Sequence, residues 1–209
     1  MKTRAAVLYS PGEPIRVEEV ELIPPHEHEV QVRMVAAGIC HSDYHVMSGE
    51  LPGYLPIALG HEGAGIVEEV GPGVTNCKVG DHVLMSFFPS CGTCPSCVAG
   101  HSNLCDKGSE TLRGPLLDGV FHMRNGDANI GQFCLVGSFS ERIVASDMSV
   151  IPIMKHYPLN RAVLVSCGVP TGVGAVIHRA KVVPGSTVMV VGCGGIGSNI
   201  VQGAALAGA

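Results

Sequence analysis

The sequence predicts a mixed α/β fold in which a partly open β-barrel over residues 1–168 precedes the beginning of a doubly wound domain over 169–209. Short β-branched runs separated by Gly and Pro turns fill the first 150 residues, a pattern typical of barrels. Helical spacing replaces this pattern after about Pro158. A continuous apolar run at 187–191 then leads through glycines into a helix, as at the start of a parallel sheet.

Each predicted strand is rich in apolar or β-branched residues, and most are bounded by turn residues. The predicted strands are 3–10, 15–22, 30–39, 63–70, 139–145 and a turn leading into a strand at 79–85. A short helix is expected over 42–48, with Ser42 as its N-cap. This succession of short strands supports the barrel.

The second part begins with helical spacing at 161–166 and 171–180 and a turn at Pro184-Gly185. The run 187–191 predicts a buried parallel strand, and 195–209 predicts a helix of small residues. One strand and one helix cannot form a nucleotide-binding half, which needs at least βαβαβ. We therefore expect the chain to be the N-terminal piece of a longer polypeptide.

Composition excludes several classes of protein. Charged residues make up 15% of the 209, aromatic residues 4%, the net charge is −5 and no basic run occurs, so nucleic-acid binding is not expected. No apolar stretch of about 20 residues and no signal-peptide pattern is present, so we expect no membrane span. Nine cysteines, an odd number, indicate a reducing, cytoplasmic compartment in which clustered cysteines bind metal.

Four cysteines lie close together at Cys91, Cys94, Cys97 and Cys105, separated by small, turn-forming residues. Four thiolates can surround one tetrahedral Zn²⁺ and leave no position open, so the spacing predicts a structural zinc site. Unrelated buried cysteines, a redox Cys-x-x-Cys pair and an iron–sulfur cluster are the alternatives.

A second group of reactive residues occupies 40–45, Gly60-His61-Glu62 and Ser166-Cys167. Cys40, His61 and Cys167 form a set of ligands one short of a tetrahedron, which is what a catalytic zinc requires. A lone Cys or His is more often a core residue than a ligand, and spacing alone does not pair Cys167 with Cys40.

These motifs, in this order, resemble the zinc-dependent medium-chain alcohol dehydrogenases over the whole chain. The matching motifs are 38–43, 60–65, 79–83, the four cysteines and the glycine turn at 192–197. The details are most similar to the actinobacterial branch that is assayed with a nitroso-dimethylaniline dye and keeps its cofactor tightly bound. The resemblance implies a GroES-like catalytic domain followed by the first βα unit of a Rossmann domain.

The resemblance also implies roles for single residues. Cys40, His61 and Cys167 hold the catalytic zinc, and Glu62 replaces water as a ligand in some states. Asp43 fixes the tautomer of the His61 ring. Ser42 bonds the alcohol oxygen, and His45 passes the proton onward, through a ribose hydroxyl of the cofactor. His41 lies near the pyrophosphate, and Thr171 near the nicotinamide.

The glycine turn Gly192-x-Gly194-x-x-Gly197 follows the run 187–191 and begins a helix. Its glycines allow a tight turn, close approach of a pyrophosphate and close packing of helix on strand, and the helix N-terminus favours the anion. We expect the cofactor to contact Gly192, Gly194, Gly195, Ile196 and Gly197. The acidic residue that would bind the ribose is expected about 20 residues later, at or beyond the last residue. NAD(H) is therefore implied by the resemblance alone.

The sequence thus predicts an oxidoreductase that interconverts an alcohol and an aldehyde or ketone, with two Zn²⁺ per chain and a nicotinamide cofactor. The longer parent is expected to form a homo-oligomer. A polyol or formaldehyde-handling dehydrogenase or dismutase is the alternative within the superfamily. An inactive zinc-binding structural fragment is the alternative of another class.

The other cysteines, Cys77, Cys134 and Cys193, have no partner pattern in the sequence, and we expect them to be buried. His82 follows Asp81 in a turn that leads into a strand, and we expect a structural role for it. The remaining histidines are isolated, and we expect surface or core positions for them; they are His26, His28, His101, His122, His156 and His178.

Overall fold

Ten strands and five α-helices, with short 3-10 and π-helical turns between them, form the computed structural model, which describes all residues from 1 to 209. The strands are β1 (Lys2–Leu8), β2 (Arg16–Leu22), β3 (Glu29–Gly38), β4 (Ile57–Ala58), β5 (Glu62–Val70), β6 (His82–Met85), β7 (Met123–Asn125), β8 (Ala128–Gln132), β9 (Arg142–Ser146) and β10 (Val150–Ile153). The helices are α1 (His41–Ser48), α2 (Pro95–Val98), α3 (Leu159–Ala162), α4 (Gly168–Gly174) and α5 (Gly195–Leu206).

The chain divides into two units, Met1–Val163 and Leu164–Ala209. The predicted boundary after residue 168 falls inside the second unit. The assignment of 169–209 as the start of a separate domain stays a prediction.

The first unit contains all ten strands. β1, β2, β7, β8 and β4 close into a barrel, in which only the β4–β8 pair is parallel. The other five strands form an antiparallel sheet in the order β10-β6-β5-β3-β9. The predicted β-barrel domain is therefore confirmed, although the short strands β4, β7, β8 and β10 were not predicted.

The core of this unit is formed by the inward side chains of the strands. Val7, Val32, Met123, Ile130 and Leu135 are among its fully buried members. Burial of each such side chain contributes about 1.5–3 kcal/mol to the stability of the fold. This gain offsets the conformational entropy that the backbone loses when its many turns become ordered.

The longest pair of strands determines where the candidate site lies. β3 and β5 pair in antiparallel register from Val30 opposite Val70 to Gly38 opposite Glu62, with irregularities at Gln31/Val32 and Met34/Ala36. The residues that follow Gly38 and the residues that precede Glu62 are therefore neighbours at one end of the ladder. This register brings Cys40 beside His61.

The second unit consists of α4, the π-helical turn Ala175–Ala180 that continues it, and α5. The two α-helices approach closely at glycines. A Cβ at Gly172 would lie 2.6 Å from the Cβ of Asn199, and one at Gly203 would lie 3.0 Å from the Cα of Val173. The small residues of the predicted helix at 195–209 thus permit close helix packing.

The predicted buried strand at 187–191 is wrong. The segment has no strand partner, and the side chains of Met189 and Val191 are 86% and 90% exposed. A strand exists only when a neighbour accepts its backbone hydrogen bonds, and no other strand occurs in this unit.

No single helix is long and apolar enough to cross a membrane. One bent pair, Leu159–Ser166 with Gly168–Ala180, reaches the required length and composition when taken together.

Candidate active site and metal centres

The candidate active site lies at the end of the β3–β5 ladder. Cys40 is half-buried and precedes α1, whereas His61 and Glu62 are 2% and 5% exposed. One donor atom from each of these three residues lies within 4.8 Å of the others. A thiol, an imidazole and a carboxylate at this spacing are a suitable set of ligands for a transition-metal ion.

Asp43 holds this arrangement together. Its side chain is buried, and Oδ2 accepts a hydrogen bond from the backbone N–H of Cys40 at 3.2 Å. Oδ1 accepts the backbone N–H of Gly60 at 3.0 Å and lies 3.2 Å from Nδ1 of His61. Because a carboxylate accepts hydrogen bonds, it favours the tautomer with the proton on Nδ1, in which Nε2 is the nitrogen able to bind a metal.

Two aromatic rings fix the plane of the His61 imidazole. Phe87 and Phe133 contact it edge to face, with centroids 5.7 and 5.5 Å away. Such contacts restrict rotation of the imidazole. Neither ring could be assigned to the site from sequence, because both lie far from His61 along the chain.

Two glycines make room for the site. A Cβ at Gly38 would lie 1.9 Å from Oε2 of Glu62, so the carboxylate crosses the space that a larger residue would occupy. Gly60 has φ +92°, and a Cβ there would lie 2.5 Å from Oγ of Ser138. Ser138 in turn donates its hydroxyl hydrogen to the carbonyl of Glu62 at 2.7 Å.

The other predicted residues of this region lie on α1. Ser42 is exposed, and its Oγ is 3.7 Å from Sγ of Cys40. The prediction that Ser42 is the N-cap is wrong: the helix begins one residue earlier, with Cys40 at the N-cap and Asp43 at the third helical position. Asp43 supplies the side chain that accepts a hydrogen bond at this end, and the Ser42 hydroxyl is not used as a cap.

Histidines follow Ser42 on the same helix. The rings of His41 and His45 are 4.8 Å apart between centroids, as expected for residues four apart. Nδ1 of His45 lies 3.6 Å from Oε2 of Glu50 at the helix end. Residues 42 and 45 are three apart and therefore share one face of α1.

Cys167 and Thr171 belong to the second unit. Cys167 is buried and is the residue before α4, and its carbonyl accepts the N–H of Thr171 at 3.0 Å. Thr171 is exposed. Their predicted roles in metal and cofactor binding stay predictions.

The four cysteines predicted to bind one metal ion lie together in the first unit. One sulfur of each lies within 4.8 Å of the others, and the pairs Cys91–Cys97 and Cys94–Cys105 are separated by 4.0 Å. Four sulfurs about 2.3 Å from one tetrahedral ion are separated by roughly 3.8 Å. All nine cysteines are free thiols, so the geometry favours one four-ligand site over a separate redox pair.

The backbone prepares this cluster for a cation. The N–H of Cys94 donates to Sγ of Cys91 at 3.3 Å, and the N–H of Cys91 donates to Sγ of Cys105 at 3.4 Å. Backbone hydrogen bonds from Thr93 and Cys94 lower the pKa of Cys91 to about 6, whereas burial raises the pKa of Cys105 to about 11. A positive ion would stabilise all four as thiolates.

The glycine turn has the shape expected of a phosphate-binding loop. Gly192 has φ +93°, and a Cβ at Gly197 would lie 1.9 Å from the carbonyl oxygen of Gly192. Gly194 precedes α5, a Cβ at Gly194 or Gly195 would meet nothing within 4 Å, and Ile196 is 40% exposed. The start of α5 is therefore open to an anion.

Comparison with known proteins shows where such an arrangement occurs. Residues 26–155 match the family model of the alcohol dehydrogenase GroES-like domain. The NDMA-dependent alcohol dehydrogenase of Amycolatopsis methanolica is 52% identical over 209 residues, which are 100% of this chain and 56% of that protein. A probable S-(hydroxymethyl)glutathione dehydrogenase 1 of Schizosaccharomyces pombe is 45% identical over 208 residues, 99% of this chain and 55% of that protein.

A solved structure is also similar. The crystal structure of an alcohol dehydrogenase zinc-binding domain protein from Burkholderia ambifaria has a TM-score of 0.94 and 36% identity, covering 100% of this chain and 57% of that one. The chain therefore spans little more than half the length of the relatives it matches.

Proposed function

Because the chain belongs to the family of alcohol dehydrogenases with a GroES-like domain, we propose that it contributes the catalytic zinc site of an oxidoreductase that interconverts an alcohol and an aldehyde or ketone. The hydride acceptor is a nicotinamide cofactor, for which we propose NAD. The observation that carries the proposal is the buried Asp43, which orients His61 beside Cys40 and Glu62.

The donor atoms fit the metals that the proposal requires. We assign Cys40, His61 and Cys167 to the catalytic zinc, with Glu62 as a ligand that alternates with water. We assign Cys91, Cys94, Cys97 and Cys105 to the structural zinc. A catalytic zinc ion with one open position supplies Lewis-acid chemistry, which makes an alcohol more acidic.

The chain's own residues manage the proton. Oxidation removes a proton from the alcohol oxygen and a hydride from the adjacent carbon. Ser42, whose hydroxyl lies next to Cys40, accepts the proton as it releases its own hydroxyl proton, and His45 on the same face of α1 receives the released proton and carries it toward solvent. An imidazole is suited to this task, because it can both accept and release a proton.

The second unit contributes to binding of the cofactor in this proposal. The N-terminus of α5 and residues 192–197 bind the pyrophosphate, since backbone N–H groups and the helix dipole favour an anion. His41 approaches the same phosphates from α1, and Thr171 approaches the nicotinamide. These assignments rest on the resemblance and on the open space beside Gly194 and Gly195.

Two other functions compete with the proposal. A formaldehyde-handling dehydrogenase is favoured by the relative named as an S-(hydroxymethyl)glutathione dehydrogenase. The hydroxymethyl group of S-(hydroxymethyl)glutathione is itself an alcohol, so the same residues would serve in its oxidation. A structural zinc module without turnover is favoured by the four sulfurs of Cys91, Cys94, Cys97 and Cys105, which would fill every ligand position around one ion.

A turnover assay separates these functions. The protein, extended to the length of its relatives, is mixed with NAD⁺ and with simple alcohols or S-(hydroxymethyl)glutathione, and absorbance of the reduced cofactor is followed. We expect alcohol-dependent reduction, and exclusive use of S-(hydroxymethyl)glutathione would favour the second function. If the zinc-loaded extended protein reduces no cofactor with any of these substrates, the proposal is wrong.

A further inference from the structure

Four side chains of types that bind metals lie close together outside both candidate zinc sites. His26 and Glu29 stand at the start of β3, and Asp118 and His122 stand just before β7. One donor atom from each lies within 4.8 Å of the others. Because His26 and Asp118 are 92 positions apart, no spacing in the sequence revealed this cluster.

The distances within the cluster are those of ligands around one ion. Nε2 of His122 lies 3.1 Å from Oε2 of Glu29 and 3.6 Å from Oδ2 of Asp118. Nδ1 of His26 lies 2.9 Å from the same Oδ2. Ligand bonds of about 2.0–2.2 Å in a tetrahedron place neighbouring donor atoms roughly 3.3 Å apart.

The inner half of the cluster is buried. His122 is 0% exposed and Glu29 is 3% exposed, and neither ring nitrogen of His122 makes a hydrogen bond of acceptable geometry. Oε2 of Glu29 also accepts the backbone N–H of His26 at 2.8 Å, which fixes the carboxylate. A buried imidazole that is poorly hydrogen-bonded and faces two carboxylates is better satisfied by a cation.

The outer half is open to solvent. The side chains of His26 and Asp118 are 46% and 26% exposed. A cavity of about 220 Å³ borders Glu29 and Asp118 and is also lined by Glu27, His28 and Lys107. An ion can therefore reach the buried half through this opening.

We propose that His26, Glu29, Asp118 and His122 bind a divalent transition-metal ion of the zinc class. Imidazole and carboxylate ligands suit such an ion, and two carboxylates would neutralise its charge. This third site contains no thiolate and shares no residue with the two zinc sites of the proposed function.

A proton competes with the ion. Binding of the metal requires an unprotonated nitrogen on the His122 ring, which faces Glu29 and Asp118. The other titratable groups beside the cluster are His26 in the cluster itself and Glu27, His28 and Lys107 on the cavity wall. Because the metal displaces the proton, its affinity increases with pH.

The test compares two matched pairs of variants. His156 and Asp127 are exposed and lie outside the cluster and the cavity beside it. H156N and D127N are therefore controls for H26N and D118N. The full chain, with its cysteine sites loaded with zinc and excess metal removed by dialysis, is titrated with Zn²⁺ by calorimetry at about pH 8 and about pH 6.

The wild type, H156N and D127N are expected to bind about one further Zn²⁺, more tightly at the higher pH. H26N and D118N are expected to bind it at least about tenfold more weakly. Absence of a further equivalent in the wild type, or equal binding by all five proteins, would overturn the proposal. Zinc already held by the cysteines is counted before the titration, so failure here leaves the proposed function untouched.

Discussion

At the scale of single residues, the site depends most on Asp43. This carboxylate accepts hydrogen bonds from the backbone N–H groups of Cys40 and Gly60, and it contacts Nδ1 of His61. It therefore joins the start of α1 to the residues before β5. Sequence reasoning assigned the contact with His61 through the resemblance, but it missed the two backbone bonds, which require the antiparallel register of β3 and β5.

Replacing Asp43 by Asn keeps the shape but removes the charge and one acceptor. We expect D43N to weaken zinc binding at the catalytic site by about 10–100-fold, the effect typical of groups that orient a metal-binding histidine. Competition with a chelator measures the affinity. D147N, which alters a similar Asp–His contact elsewhere, is the control, and equal affinities in the two variants would contradict the role of Asp43.

Ser42 offers a separate test on the same helix. We expect S42A to lower turnover of the extended protein by about 10²–10⁴, the usual contribution of acid–base catalysis, while zinc content stays normal. S48A, at the other end of α1, is the control, because its hydroxyl bonds only to His45 O and Glu50. Loss of zinc in S42A would show that Ser42 supports the metal rather than the proton.

At the scale of elements, the ends of β3 and β5 create the site, and Gly38 makes their approach possible. We expect G38A to lower the unfolding free energy by about 1–3 kcal/mol, because the new Cβ would collide with Glu62. We also expect it to weaken the binding of zinc at the catalytic site. Chemical denaturation measures the loss. G53A is the control, since its Cβ would meet no atom closer than 4.0 Å. An unfolding free energy of G38A equal to that of the wild type would contradict the close contact between residue 38 and Glu62.

The segment from Cys91 to Cys105 contains only α2 and a short 3-10 turn, so we expect a bound metal to order it. We expect C94S to lose one zinc and to lower the unfolding free energy by about 3 kcal/mol or more, since lost metal sites give the largest effects. C193S, which changes an exposed thiol, is the control. Unchanged stability and metal content in C94S would contradict a structural zinc site at these four cysteines.

Local patterns predicted some elements and not others. The apolar strand β1, the alternating strand β2 and the small-residue helix α5 follow from residues close together in the chain. The run 187–191 has the composition of a buried strand, but strand formation requires a neighbour that this chain does not supply. The N-cap moved from Ser42 to Cys40 because Asp43, three residues later, accepts the exposed N–H group.

At the scale of the whole molecule, closeness in sequence decided which sites could be predicted. The four cysteines lie within one short segment, so their site could be predicted from spacing alone. The prediction that Cys40 and His61 share a site depended on the family resemblance. The register of β3 and β5 explains why these two residues are neighbours. The cluster of His26, Glu29, Asp118 and His122 joins two distant segments, and only the folded barrel brings them together.

The proposed function requires that this chain bind two zinc ions through cysteines, one of them beside Asp43. The most direct measurement is the zinc content per chain after dialysis, made in an H26N background so that the third cluster does not contribute. We predict about two zinc ions for the parent and for C193S, and about one for C40S and for C94S. One zinc or none in the parent, or two in C40S, would contradict the account.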